Sequence, residues 1–132
     1  MRLVDSVLPP YSYVPGLFPH PESHPDGHRF EVAAVETAVD PNQWQDCRTY
    51  LHGCDLVNHG YYWEGHECWE SLWHSAGRRG LQADFLKALI KLAAALVKAR
   101  EGRAKGVARH AERAKTLLLM TADRVASRTY MG

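Results

Sequence analysis

A chain of 132 residues suits one domain that buries its own core, and a composition of 45% hydrophobic and 23% charged residues is that of a soluble globular protein. A formal net charge of +1 points to neither a nucleic-acid nor a membrane partner. The opening MRLVDSVLPPY has no apolar leader, and Lys87 and Lys91 cut the most apolar run, Phe85 to Val97, so export and membrane insertion are not expected and a cytoplasmic location is.

Charge is unevenly distributed. Up to Val97 there are 7 basic and 12 acidic residues, a balance of −5; from Lys98 onward there are 9 and 3, a balance of +6. The two parts should attract each other within the molecule, a simpler account than a basic C-terminal helix that recruits phosphate or nucleic acid. Of three cysteines, Cys47 and Cys54 fall seven apart on one expected helix, about 10 Å between Cα atoms and beyond disulfide reach. Cys47, Cys54 and Cys68 are therefore all read as reduced.

Residues 1 to 30 hold Pro9, Pro10, Pro15, Pro19, Pro21 and Pro25, each of which fixes φ and extends its predecessor. An extended arm is expected, draped over a helical domain of residues 31–132 through Tyr11, Tyr13, Leu17 and Phe18. Its His20, His24 and His28 have a spacing that would share a helix face, but the prolines forbid that helix. The run Phe30 to Val39 is ambiguous between helix and strand, with helix or irregular structure favoured.

Asp40, Pro41 and Gln43 supply an N-cap, a proline for the first turn and a capping-box partner, so a first helix should start there. Its apolar positions are Trp44, Cys47, Leu51 and Cys54, and Gly60 should end it. On its other flank His52, Asp55 and His59 line up at i, i+3 and i+7. A tight turn at Gly60 would make the next helix an antiparallel neighbour, so these three could look toward it.

That second helix organises the chain. Wound from about Tyr61, at roughly 100° per residue, the stretch NHGYYWEGHECWESLWH gathers Trp63, His66, Glu67, Glu70 and His74 within an arc of about 100°, with Tyr61, Tyr62, Trp69, Leu72 and Trp73 on the other side. An aromatic core face beside two carboxylates and two imidazoles more often marks chemistry than packing.

After a GRRG loop, a third helix opens at Ala83 or Asp84 and is apolar around most of its circumference, through Phe85, Leu86, Leu89, Ile90, Leu92, Ala93, Leu96 and Val97. It belongs at the centre of a bundle. Lys87, Lys91 and Lys98 share one stripe, either solvating it or acting as counter-charges for Glu67 and Glu70. Gly102 ends that helix, and a fourth runs from about Arg103, with Val107, Ala111, Ala114, Leu117 and Leu118 inward and Arg109 and Arg113 outward. The fold class is thus all-α, an antiparallel bundle of about four main helices.

NHGYYWEGHECWESLWH, the glycine loop, FLKALIKLAAALVKAREG and the helix beginning near GVARHAERA together resemble the uncharacterised bacterial and archaeal family catalogued as domain of unknown function 309, over about Leu51 to Leu118. The resemblance implies a compact antiparallel helical bundle. The shared features fall on Asn58, Gly60, Glu64, His66, Glu67, Glu70 and Trp73 and on the run Phe85 to Ala95. Many members carry Gln, Gly and Gln where this chain has Lys87, Ala88 and Lys91. The resemblance implies no activity.

Three readings of the cluster follow from the residues. His66, Glu70 and His74, spaced by four, could ligate a divalent metal such as Zn, Fe or Mn, with Glu67 as a base. HExxE falls short of the zinc-protease HExxH, and His52-x-x-Asp55 is a thin second half for a di-iron bundle. Without a metal, Glu67 and Glu70 would repel when both ionise, and one raised carboxylate could serve acid–base chemistry on a small molecule. The third reading is structural: a charge network that fixes register in an interaction module or homodimer. Self-association and a small-molecule ligand are the expected partners, with no membrane and no nucleic acid.

Overall fold

Gly60 supplies a left-handed turn, φ +88°, that an L side chain would resist, and it separates two helices that otherwise read as one run of helix-forming residues. The computed structural model describes residues 2–26, 39–125 and 129–132. His28 and nearly all of the run Phe30 to Val39 lie outside the described residues; Val39 itself is buried at 6% exposure.

Four α-helices follow one another: α1 Arg48–Asn58, α2 Tyr62–Ser75, α3 Leu81–Arg100 and α4 Ala104–Arg124. Short turns join them, so sequence neighbours pack as antiparallel pairs, and among the described residues there is no strand. The chain is an all-α helical bundle.

The start of the first helix differs from expectation. Asp40 does cap, accepting the Asn42 backbone N–H at 2.9 Å, but what it caps is a 3-10 helix over Pro41–Asp46. Gln43 leaves helical backbone (φ −129°, ψ 35°) and Cys47 is extended (φ −84°, ψ 94°), so α1 begins only at Arg48. The break turns Trp44 edge-on to the Tyr50 ring, 6.2 Å between centroids. At the third helix, Gly80 (φ +97°) is the N-cap and Leu81 the first residue, two or three positions before the expected start.

The core lies where α1, α2 and α3 meet. Leu51, Tyr50, Trp69, Leu72, Leu86, Ile90 and Ala93 are buried together, with Met131 returning from the chain end. The Tyr50 hydroxyl donates to the Met131 carbonyl at 2.9 Å, and Tyr130 stands edge-on to Phe85 at 5.3 Å. Glycine sets how closely α1 and α2 approach. A Cβ on Gly53 would stand 2.5 Å from Trp69 Nε1, and one on Gly65 would stand 3.0 Å from the Gly53 carbonyl oxygen. Trp69 Nε1–H in turn donates to the Tyr50 carbonyl at 3.3 Å.

The outer helix is less covered than its pattern suggested. Ala114, Leu117 and Thr121 are the buried residues of α4, whereas Ala111 is exposed and Leu118, Leu119 and Met120 are 37%, 58% and 46% exposed. Leu92 on α3, expected in the core, is 41% exposed. The cause is position: α4 packs on α3 alone to any extent, so one narrow stripe suffices to bury it. Arg124 ties its far end to Asp84, Nη1 to Oδ2 at 2.6 Å.

Residues 2–26 contain neither helix nor strand and cross the α1–α2 surface. Two buried carboxylates receive this segment. Asp55, 1% exposed, accepts the Leu3 N–H on both oxygens at 2.7 and 2.8 Å and the Val4 N–H at 2.9 Å. Glu64, 2% exposed, accepts the Tyr13 N–H at 2.7 Å. Among the described residues, no helix is long and apolar enough to cross a membrane.

Candidate functional site

Helical periodicity places His66, Glu67 and Glu70 on one side of α2, and there they converge. The His66 imidazole stands between the two carboxylates, Nδ1 at 3.3 Å from Glu67 Oε1 and Nε2 at 3.1 Å from Glu70 Oε2. His66 Nδ1 is also 3.3 Å from the Trp63 carbonyl, one turn back. The three side chains are 22%, 24% and 37% exposed, so the group is partly shielded and open on one side. One ligand atom from each of the three lies within 4.8 Å of the others, a spacing that one metal ion can span.

The imidazole and the carboxylates of the group act on one another. Burial pulls the His66 pKa down, but the hydrogen bond to Glu70 and the charges of Glu67 and Glu70 outweigh it, so the imidazole stands above its ordinary value. The same hydrogen bond, working against burial and aided by the charges of His66, His74 and Lys87, holds Glu70 below its own. Two carboxylates one turn apart were expected to leave one of them raised. With an imidazole between them, Glu70 moves the other way.

His74, the third expected ligand, stands at the edge. Its Nε2 is 3.9 Å from Glu70 Oε1, while its Nδ1 accepts from Arg78 Nε–H at 2.8 Å. Its Nδ1 side is thus taken by Arg78, and the ligand atoms that lie within 4.8 Å of one another are those of His66, Glu67 and Glu70. Lys87 lies on this side of the molecule too, its ammonium 4.1 Å from the centre of the Trp73 ring, which settles that the lysine stripe faces α2 at this point.

The flank of α1 that could have faced the cluster serves the N-terminal segment instead. Asp55 holds Leu3 and Val4 and His52 Nδ1 is 2.7 Å from Ser6 Oγ, while His59 turns back onto its own helix, Nδ1 2.7 Å from the Asp55 carbonyl. From the segment itself, His20 packs edge-on against Trp63 at 5.4 Å, within the same aromatic group as Tyr13. Trp63 in turn stands 6.3 Å from the His66 ring, so His20 reaches the residue next to the group. A cavity of about 450 Å³ lies on the side of α2 that carries Glu64 and Cys68, under Pro9 and Pro10.

Asp55 and Glu64 were not singled out as buried acceptors. A signal was present: a proline-rich segment has no ladder for its N–H groups, so any of them that becomes buried needs an acceptor from the helices beneath.

Residues 50–110 match the family described as Domain of unknown function (DUF309). This chain carries a DUF309 domain. The match spans α1 from Tyr50, all of α2 and α3, and α4 as far as His110, so His66, Glu67, Glu70 and His74 all fall inside the DUF309 region. No curated protein and no solved structure matches the chain.

Proposed function

We propose that this DUF309 protein binds a divalent transition-metal ion on α2 through His66, Glu67 and Glu70 and presents it to a small-molecule substrate. What carries the reading is the convergence of one imidazole nitrogen and two carboxylate oxygens within 4.8 Å on a single helix. A mixed nitrogen and oxygen set suits Zn, Fe or Mn, and three protein ligands on one side leave coordination positions for water and substrate. The Trp63 carbonyl near Nδ1 supports it further: a proton held there fixes the tautomer and turns the Nε2 lone pair toward Glu70 and the ion.

The test is direct. Protein purified without a histidine tag and treated with chelator is titrated with Zn²⁺, Mn²⁺ and Co²⁺. One ion should bind per chain, and Glu70→Ala and His66→Ala should each weaken it by about tenfold or more while the helical circular dichroism is unchanged. Wild-type protein that is folded and takes up none of the three ions at one per chain would refute it.

A second reading rests on the raised imidazole. In the metal-free protein, protonated His66 bridges Glu67 and Glu70 as a charge network that braces α2. It predicts that Glu70→Ala lowers the melting temperature of metal-free protein, which the metal reading alone does not require.

A further inference from the structure

At the opposite end of α3 from the GRRG loop, the chain reverses at Gly102 (φ +72°) and enters α4. The reversal leaves a concavity of about 540 Å³ lined by Lys98, Arg103, Ala104, Lys105, Gly106 and Arg109. Four of those six residues are cationic. Lys98 is matched by Glu101, Nζ to Oε2 at 2.7 Å. Among the described residues, Arg103, Lys105 and Arg109 have no ion pair or side-chain hydrogen bond, so three positive charges face the concavity without a counter-ion.

The backbone adds to this. α4 has no side-chain cap, and its first backbone bond is Val107 N–H to the Arg103 carbonyl at 3.1 Å, so the N–H groups of Ala104, Lys105 and Gly106 have no partner within the helix. Gly106 also shapes the floor: a Cβ there would stand 2.9 Å from Lys98 Cγ, so its absence lets the Lys98 stem cross beneath the first turn. Further along, burial first and then the charges of Lys91, Arg109 and Lys98 hold His110 below its ordinary value, so cationic side chains reach this side of α4 as well.

We propose that the α3–α4 turn is a binding site for a phosphate-bearing small molecule, held by Arg103, Lys105 and Arg109. Guanidinium forks match phosphate oxygens in pairs, and uncapped helical N–H groups point the same way. The concavity is open, with Arg103, Lys105 and Arg109 exposed, and its volume of about 540 Å³ has room for a phosphate or pyrophosphate group. A small molecule is favoured over a nucleic acid because the unpaired charges of Arg103, Lys105 and Arg109 gather at one concavity. Apart from Arg124, which pairs with Asp84, the exposed basic side chains of α4 stop near its middle with Arg113 and Lys115. Beyond them come exposed Leu118, Leu119 and Met120, which a polyanion would not follow.

The site is separate from the His66 group, and its test keeps the two apart. Full-length protein in EDTA is titrated calorimetrically with inorganic phosphate and with pyrophosphate at low salt. Pyrophosphate should bind, and Arg103→Gln and Arg109→Gln should each weaken it by about tenfold. Lys115→Gln, an exposed control on the same helix, and His66→Ala should leave it unchanged. Absence of binding, or binding indifferent to Arg103 and Arg109, would overturn the proposal. So would a single-stranded oligonucleotide that displaces pyrophosphate with an affinity growing with its length, which would make the surface a nucleic-acid contact.

Discussion

Asp55 holds Leu3 from the middle of α1, both of its carboxylate oxygens within 2.8 Å of the Leu3 backbone nitrogen. The pair lies 52 positions apart in the chain, and through it a segment without secondary structure gains a fixed place on the bundle. Asp55→Ala should cost about 2 kcal/mol, as expected when buried donors lose a charged acceptor. Limited proteolysis checks it: cleavage between residues 2 and 26 should speed up markedly in the variant while the α3–α4 pair stays resistant. Equal cleavage rates would show that the contact does not hold the segment.

The His66–Glu70 bond makes the stability of metal-free protein depend on pH in two directions. His66 is raised, so its contribution is whole below its unfolded value and is lost as pH rises through the folded one. Glu70 is lowered, so its contribution is present above its unfolded value and is lost as pH falls through the folded one. The pair should stabilise most between the ordinary carboxylate and histidine values of 4.5 and 6.5. Solvent screening at a side chain 37% exposed keeps the gain under about 1 kcal/mol. Urea unfolding in EDTA, with wild type and Glu70→Gln compared across pH, reads it. Parallel curves would refute it.

His74 and His66 should behave differently toward metal. His66 offers a nitrogen to the group, whereas the Nδ1 of His74 is occupied by Arg78. His74→Ala should therefore keep metal affinity within about threefold of wild type, and His66→Ala should lose it. Affinity should also rise with pH as the ion displaces the proton of His66. Calorimetry of both variants with Zn²⁺ decides the point, and equal losses would place His74 among the ligands.

Gly53 should be intolerant of a side chain. The Cβ of Gly53→Ala would meet Trp69 Nε1 at 2.5 Å, and the ring is boxed in at 3% exposure. Overpacking of this kind costs about 1–3 kcal/mol. Gly77→Ala makes the comparison: nothing lies within 4 Å of a Cβ there, but φ is +78°, so its cost comes from backbone strain alone and should be about 1 kcal/mol. Denaturant midpoints of the two variants should rank Gly53→Ala as the less stable, and the reverse order would contradict the packing argument.

Period and punctuation alone identified the four helices, because each is a long amphipathic or apolar run bounded by a glycine: Gly60, the GRRG loop and Gly102. The same period gathered His66, Glu67 and Glu70 on one side of α2, since residues three and four apart on a helix are neighbours wherever that helix is placed. Local geometry of this sort is carried by the chain itself, and the family match over residues 50–110 agrees with it.

Contacts between distant residues were decided by tertiary structure. Nothing in the spacing of His52, Asp55 and His59 says whether that flank meets α2 or the N-terminal segment, because both are within reach of one α1 face. The buried N–H groups of Leu3 and Val4 require an acceptor, and that requirement claimed Asp55. The exposure of Leu92, Leu118 and Leu119 was equally hidden, because a hydrophobic stripe records which side of a helix faces inward but not how many neighbours it has. In the folded chain α4 has one main neighbour, α3, and its surplus apolar residues stay in water.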